Sequence, residues 1–345
     1  MEKEKDRERS MSRRQFIQTC GGIVAGVGMA GALGYAFHRS LTAPTGSTTS
    51  SFGGGAIAPS GSTALRSPYK LVSALHTPAA IDALEVGDNR MVVAAGGQVI
   101  VYDFTGKELQ QFAVAGTVRD LALADGLLYV LHPQSVKVYR DGTWVRQWET
   151  CDSESDYCFM ALSPEAVYVT DAARKNICQF TRDGELVRFI ESPDGFIVPS
   201  YSFGIAFAGG TLYCSNPGRH RVESYQPDGT FIASFGKLGN DPGSFCGCCN
   251  PVHLTVTASG DLLTSEKGIP RISCYSPKGE YRTLLLDSPM LGGGNSAYDV
   301  KAFADRLVVA GKDKLMTFRY DAATADRTAC AGCTQSCPLR AGINL

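Results

Sequence analysis

Two cysteine groups carry the densest potential chemistry in this 345-residue chain. Cys246-Gly247-Cys248-Cys249-Asn250-Pro251 places three thiols within four residues, and Cys330-Ala-Gly-Cys333-Thr-Gln-Ser-Cys337-Pro338 spaces three more in a polar tail. Thiolates at such short spacings can face one centre, as metal or cluster binding requires. The tail alone is one sulfur short of a four-cysteine set. Cys249 is the expected fourth ligand to a metal held by Cys330, Cys333 and Cys337, with Cys246 and Cys248 completing the cofactor-binding group. The alternative for the same residues is a disulfide network, for instance Cys330 or Cys337 to Cys246, or a strained vicinal Cys248–Cys249 bridge.

The remaining cysteines read differently. Cys151 and Cys158 flank Asp-Ser-Glu-Ser-Asp-Tyr and are expected to form a local disulfide. Cys178, Cys214 and Cys274 stand singly in apolar runs, as buried small residues or disulfide partners. Eleven cysteines follow Cys20. An odd number leaves at least one free, paired between molecules or on a metal. No Cys–His pairing suited to a thiolate nucleophile is visible. Gly292-Gly293-Gly294 is followed by no helix and reads as a connector rather than a phosphate cradle.

The elements that must position these groups repeat along the chain. An apolar run, an aromatic residue and a glycine-closed turn recur as Val99–Tyr102 to Gly106, Val136–Tyr139 to Gly142, Ile177–Phe180 to Gly184, Val222–Tyr225 to Gly229 and Ile272–Tyr275 to Gly279. Leu315–Phe318 gives a sixth unit without the glycine. Upstream of each aromatic lies a hairpin pattern, such as Leu121–Val130. A further strand follows each turn glycine, such as Thr230–Phe235. Four strands per unit at a period of 36 to 50 residues is the range of a propeller blade. The sixth unit lacks its last strand, and Tyr69–Leu75 is expected to supply it and close the ring.

The fold class is therefore all-β: a six-bladed β-propeller of four-stranded blades closed by an N-terminal strand, behind a signal or anchor helix and ahead of a Cys-rich tail. The units that include NPVHLTVTASGDLLTSEKGIPRISCYSPKG and FGIAFAGGTLYCSNPGRHRVESYQPDGTFIASFGKLG resemble those of the NHL-repeat six-bladed propellers. That resemblance covers roughly residues 66–322 and implies architecture rather than activity, since its members include scaffolds, ligand binders and a few enzymes. It also places the starts of the innermost strands on the central channel, namely Asp82, Asp120, His253, Tyr298 and Asp299. Should the protein be an enzyme, a hydrolase or lyase at the channel, His253 with Asp299 is the catalytic pair to expect. Glu266, Lys267 and Arg271, like Arg219 and Arg221, read as salt-bridge residues between blades rather than ligand contacts. The ending x3-Cys-Pro of the tail is similar to bacterial ferredoxin cluster loops and implies an iron–sulfur cluster, although those loops use C-x2-C-x2-C.

At the N-terminus, Ser12-Arg13-Arg14-Gln15-Phe16-Ile17 precedes an apolar Gly/Ala-rich stretch, 21–37. This resembles a twin-arginine (Tat) export signal with Arg13, Arg14 and Phe16 as its key residues. It implies passage in the folded state to the periplasm or the outer face of the cytoplasmic membrane. The expected organisation is signal or anchor over 1–40, flexible linker over 41–65, propeller over 66–322 and Cys-rich tail over 323–345. A formal net charge of −1 argues against nucleic acid as the main partner. The reading that joins these features is an exported, non-catalytic propeller subunit. It binds an iron–sulfur cluster or metal ion through cysteines and docks on a redox or membrane partner, with a membrane tether through 21–37. The alternatives are a disulfide-stapled binding module without cofactor and the channel enzyme.

Overall fold

The computed structural model describes residues 67–321. Within them the chain forms six four-stranded antiparallel sheets. Blade one comprises β2 (Ile81–Gly87), β3 (Arg90–Ala95), β4 (Gln98–Tyr102) and β5 (Glu108–Ala113). Blade two comprises β6 (Asp120–Ala124), β7 (Leu127–His132), β8 (Ser135–Arg140) and β9 (Thr143–Glu149). Blade three comprises β10 (Tyr157–Leu162), β11 (Ala166–Asp171), β12 (Asn176–Thr181) and β13 (Leu186–Ile190). Blade four comprises β14 (Ile205–Ala208), β15 (Thr211–Asn216), β16 (Arg221–Tyr225) and β17 (Phe231–Phe235). Blade five comprises β18 (His253–Val256), β19 (Leu262–Glu266), β20 (Arg271–Tyr275) and β21 (Tyr281–Leu286). Blade six comprises β22 (Asp299–Phe303), β23 (Arg306–Gly311) and β24 (Lys314–Tyr320), completed by β1 (Tyr69–His76). The last pairing runs from Tyr69 opposite Tyr320 to His76 opposite Lys314, so the N-terminal strand closes the ring as expected.

Why these residues form blades is visible in their burial. The two middle strands of each blade are mostly buried and carry its apolar core, as in β7 (LLYVLH) and β11 (AVYVTD), with buried polar residues such as Glu223 and Glu266 among them in blades four and five. The outer strands alternate or are mostly exposed, as in β5 and β17. A middle strand sandwiched on both faces needs a continuous apolar run; an outer strand needs little more than pairing. Successive blades pack through aromatic residues. The turn glycine Gly279 (φ +84°) has Phe235 of the preceding blade where a Cβ would stand, and Gly184 (φ +93°) has Trp148 in the same way. Both the left-handed backbone and the close approach demand glycine there.

The innermost strands β2, β6, β10, β14, β18 and β22 contact one another in a ring around the channel. Each begins at one face of the disc, the mouth, and the next strand returns to it. The connections between blades and the β15–β16 and β19–β20 turns therefore lie at the mouth. The connection from β21 includes a single helical turn, α1 (Ser288–Leu291), capped by the Asp287 side chain, which accepts from Met290 N–H. Among the described residues no helix is long and apolar enough to cross a membrane.

Candidate functional site

The channel holds five titratable side chains from four blades. Asp299 and Lys301 lie two apart on β22 and so share its channel face. His253 on β18 directs Nδ1 toward Asp299 Oδ1 at 3.6 Å. Lys301 Nζ stands 3.4 Å from Glu85 Oε2 of blade one. Asp120 of blade two is buried. Burial, reinforced by Asp299 and Glu85 and opposed by Lys301, pushes the Asp120 carboxyl up to about 7. Burial also raises Glu85 against the pull of Lys301. Lys301 is held well above its ordinary value because Glu85, Asp120 and Asp299 outweigh the effect of its burial. Burial lowers His253, against the charge of Asp299, and favours neutral imidazole.

Two of these carboxylates have structural work. Met160 N–H of blade three donates to Asp120 Oδ2 (2.8 Å), and Leu84 N–H of blade one donates to Asp299 Oδ2 (3.1 Å). Each aspartate at the start of an innermost strand thus bonds the backbone of the following blade. The sequence pair His253 and Asp299 is brought together, yet one member doubles as an inter-blade staple. The His253 ring also packs edge-on against Phe159, with centroids 5.2 Å apart. Tyr298, adjacent on the chain, turns its hydroxyl to Gly293 O (2.9 Å), and Asp82 is exposed.

At the mouth, the connection into β18 presents the thiols. Cys248 and Cys249 have their sulfurs 2.9 Å apart, Cys248 exposed and Cys249 buried. Ser200 Oγ, from the connection between blades three and four, lies 3.5 Å from Cys249 Sγ. Burial works to raise the Cys249 thiol, but hydrogen bonding with Cys248 and Ser200 and the charge of Lys267 outweigh it and hold the thiol below its ordinary value. Cys248, hydrogen-bonded to Cys249 and close to its charge, is pushed up. The loop is fixed from below by Asn250. Its amide donates to Cys246 O (2.7 Å) and Lys267 O (2.8 Å), and its Oδ1 accepts from Lys267 N–H (2.8 Å). Lys267 Nζ in turn reaches Ser202 Oγ at 3.3 Å.

Cys246 parts company with its neighbours. It is buried, accepts a weak contact from the Asn250 amide (3.8 Å), and lies beside Glu266 and Arg271. The structure thus brings Cys248 and Cys249 together at the mouth and turns Cys246 inward. Cys330, Cys333 and Cys337, like Arg13, Arg14 and Phe16, lie outside the described residues. Among the described residues no group of three or more His, Cys, Asp or Glu is placed to hold a metal ion.

The expected Cys151–Cys158 bridge is not formed. Cys158 is a free thiol directed to Asp156 O at 3.7 Å, packed among residues of blades three and four. Cys151 instead lies by Tyr157 Oη (3.9 Å) and Cys178, against the interior between blades two and three. Cys158 falls within β10, where strand alternation sends its side chain to the face opposite Tyr157. Cys178, Cys214 and Cys274 are buried core residues.

The expected salt bridges between blades are not what forms: Arg271 and Arg221 each grip a glutamate of their own blade and reach the preceding connection as well. Arg271 grips Glu266 through Nε (2.7 Å) and Nη2 (2.9 Å) within blade five, and also donates to Ser244 O of the connection from blade four. Arg221 bonds Glu223 (2.6 Å) and Asp194 (2.8 Å), and Arg219 donates to the backbone of Asp194 and Gly195. Lys267 belongs to the thiol site instead.

Sequence reading missed Ser200, Glu85 and Lys301. Lys301 was within reach, since it follows Asp299 by one strand period. Ser200 carried no signal, its contact with Cys249 spanning 49 residues. The Lys267 charge gives a direct test. In Lys267→Met the Cys249 thiol should lose part of what holds it below its ordinary value, and its alkylation by iodoacetamide at pH 7 should slow measurably. Mass-spectrometric rates at Cys249 measure this; equal rates in both proteins would remove Lys267 from the site.

No known protein-family profile matches the chain, and no curated protein matches it. Solved structures do resemble it. Virginiamycin B lyase from Staphylococcus aureus aligns with 73% of this chain and 99% of its own at 14% identity and TM-score 0.52. A streptogramin B lyase aligns with 73% and 97% at 13% identity and TM-score 0.55. A luciferin-regenerating enzyme aligns with 73% and 94% at 11% identity and TM-score 0.52. At these identities the likeness establishes the six-bladed fold alone.

Proposed function

We propose that this protein is an exported propeller subunit of the NHL-repeat type whose working group is the mouth dithiol. In this reading Cys249 and Cys248, with Cys330, Cys333 and Cys337 of the tail, hold an iron–sulfur cluster or a thiophilic metal ion, and the mouth docks on a redox partner at the outer face of the membrane. The supporting observation is the juxtaposition of two sulfurs at 2.9 Å on the open face, one of them held toward thiolate by Ser200 and Lys267. Soft, deprotonated sulfur suits iron or zinc. The described residues furnish two such donors, fewer than a closed centre takes, and the tail supplies the rest. The centre would contribute electron transfer or structural cross-linking; the protein contributes the ligands and a fixed loop.

Geometry permits the tail to take part. β24 begins at the mouth and ends at the opposite face, about 23 Å away for its seven residues. Nine steps of chain separate Asp321 from Cys330 and span at most about 30 Å, enough to climb blade six again.

The test is metal and sulfide analysis of full-length protein purified anaerobically. Iron with sulfide, or stoichiometric zinc, lost in both Cys249→Ser and Cys330→Ser, is the expected result. Metal-free wild-type protein defeats the reading. A second reading, a lyase or hydrolase working at the channel, draws on the approach of His253 to Asp299 and on the enzyme names of the structural neighbours. Activity that survives Cys330→Ser and is lost in His253→Ala would select it.

A further inference from the structure

Twelve large apolar side chains are exposed among the described residues. Eight of them lie on the outer strands β1, β5, β9, β13 and β17, where a propeller's rim is solvated. The other four are Ile197 (46% exposed), Tyr201 (55%), Leu238 (66%) and Ile269 (54%). All four sit on mouth-side connections of blades three to five, and those connections are tied together. Ile197 lies against Gly218. Ser200 touches Cys249, Lys267 reaches Ser202, and His220 bonds Gly247 O at 2.6 Å. These exposed apolar side chains and the Cys248–Cys249 pair thus share one linked set of mouth connections, the collar. Ser200 and Tyr201 carry it at φ +59° and +55°, a left-handed backbone that costs non-glycine residues free energy and is kept where the surroundings impose it.

We infer that this collar is the seat of the chain's own C-terminal segment, residues 331–345; the inference deepens the proposed cysteine centre and rests on it. The path length favours this occupant. The described chain leaves blade six at the face opposite the mouth, and Cys330 is the first tail cysteine. The extended chain up to Cys330 is about long enough to reach mouth height, so Cys330 and the residues after it have the reach to approach the thiols. They include Pro338, Leu339, Ile343 and Leu345, side chains of the kind the collar would take from water. Seating them excludes solvent from the sulfurs and holds Cys333 and Cys337 over Cys248 and Cys249.

Hydrogen exchange read by mass spectrometry tests this on full-length protein. The variant Leu339→Ser/Ile343→Ser/Leu345→Ser keeps every cysteine. Relative to wild type, its segments 197–202 and 236–249 should exchange about tenfold faster or more. The reciprocal variant Tyr201→Ser/Ile269→Ser should speed exchange at 339–345, and guards against a tail variant that misbehaves. Unchanged exchange in both overturns the seat. A wild-type dimer that light scattering shows to be lost in Tyr201→Ser/Ile269→Ser, but kept in the tail variant, would assign the collar to a second copy and overturn it as well. Metal content of the same samples separates the two readings: metal-free protein with the exchange result intact sinks the cluster and leaves the seat, whereas bound metal with unaltered exchange sinks the seat alone.

Discussion

Arg271→Met is expected to lower the unfolding free energy by about 3–5 kcal/mol, because it strands a buried carboxylate. Glu266 has no exposed side-chain surface and Arg271 only 12%. The pair is bidentate, and the same guanidinium satisfies Ser244 O at the junction with blade four. Removing the cation leaves the Glu266 carboxyl, already raised by burial, without the group that opposes that rise. Glu266 should then bind its proton more readily than in the wild type, which limits the loss. Replacing both partners, Glu266→Leu with Arg271→Met, should recover much of the deficit, since two apolar groups need no mutual neutralisation. Urea unfolding of the two single variants and the double variant measures this. A double variant no more stable than Arg271→Met would mean that the Ser244 contact, not the ion pair, dominates. The pair also lies below the Cys246–Asn250 loop, so Arg271→Met should loosen the thiols it supports, giving faster alkylation of Cys248.

The architecture was legible because a propeller repeats its solution. One aromatic, one turn glycine and one hairpin recur, and each turn glycine has a physical reason: the turn needs a positive φ, and a side chain of the preceding strand set, Phe235 at Gly279 and Trp148 at Gly184, fills the space beside it. Ring closure was legible for the complementary reason, since a blade lacking a strand and a strand lacking a blade stand at opposite ends of the repeat. The site was legible only in part. Composition marks Cys248 and Cys249 as unusual, but Ser200 reaches them from 49 residues away, and Glu85 meets Lys301 across 216. No local pattern encodes either contact; both arise from the blade-to-blade geometry. The Cys151–Cys158 expectation failed for a local reason. Proximity in sequence suggested a bridge, while strand alternation at Tyr157 and Cys158 turned the second thiol toward a different interior.

The pH dependence of stability should carry a signature of Asp120. Its carboxyl is raised from an ordinary 3.8 to about 7, chiefly by burial. A raised acid binds its proton more tightly in the folded chain than in the unfolded one. The stabilisation from that proton is complete below about 4 and is lost as pH rises through about 7. A shift of this size corresponds to roughly 4 kcal/mol between the two limits. Glu85, also raised by burial, contributes in the same sense, and His253, lowered by burial, in the opposite one, so total stability is a poor readout. The difference between wild type and Asp120→Asn isolates the group. Asparagine offers one acceptor where Asp120 offers two, to Leu121 N–H and Met160 N–H, so the variant should be the weaker protein at pH 4.5. Its deficit should shrink by about 2–4 kcal/mol by pH 8, because asparagine has no charge to bury. Chemical unfolding at several pH values decides the matter. A deficit that grows with pH would mean that Asp120 works as an ionised staple. Asp120 would then add its charge to those that hold Lys301 well above its ordinary value.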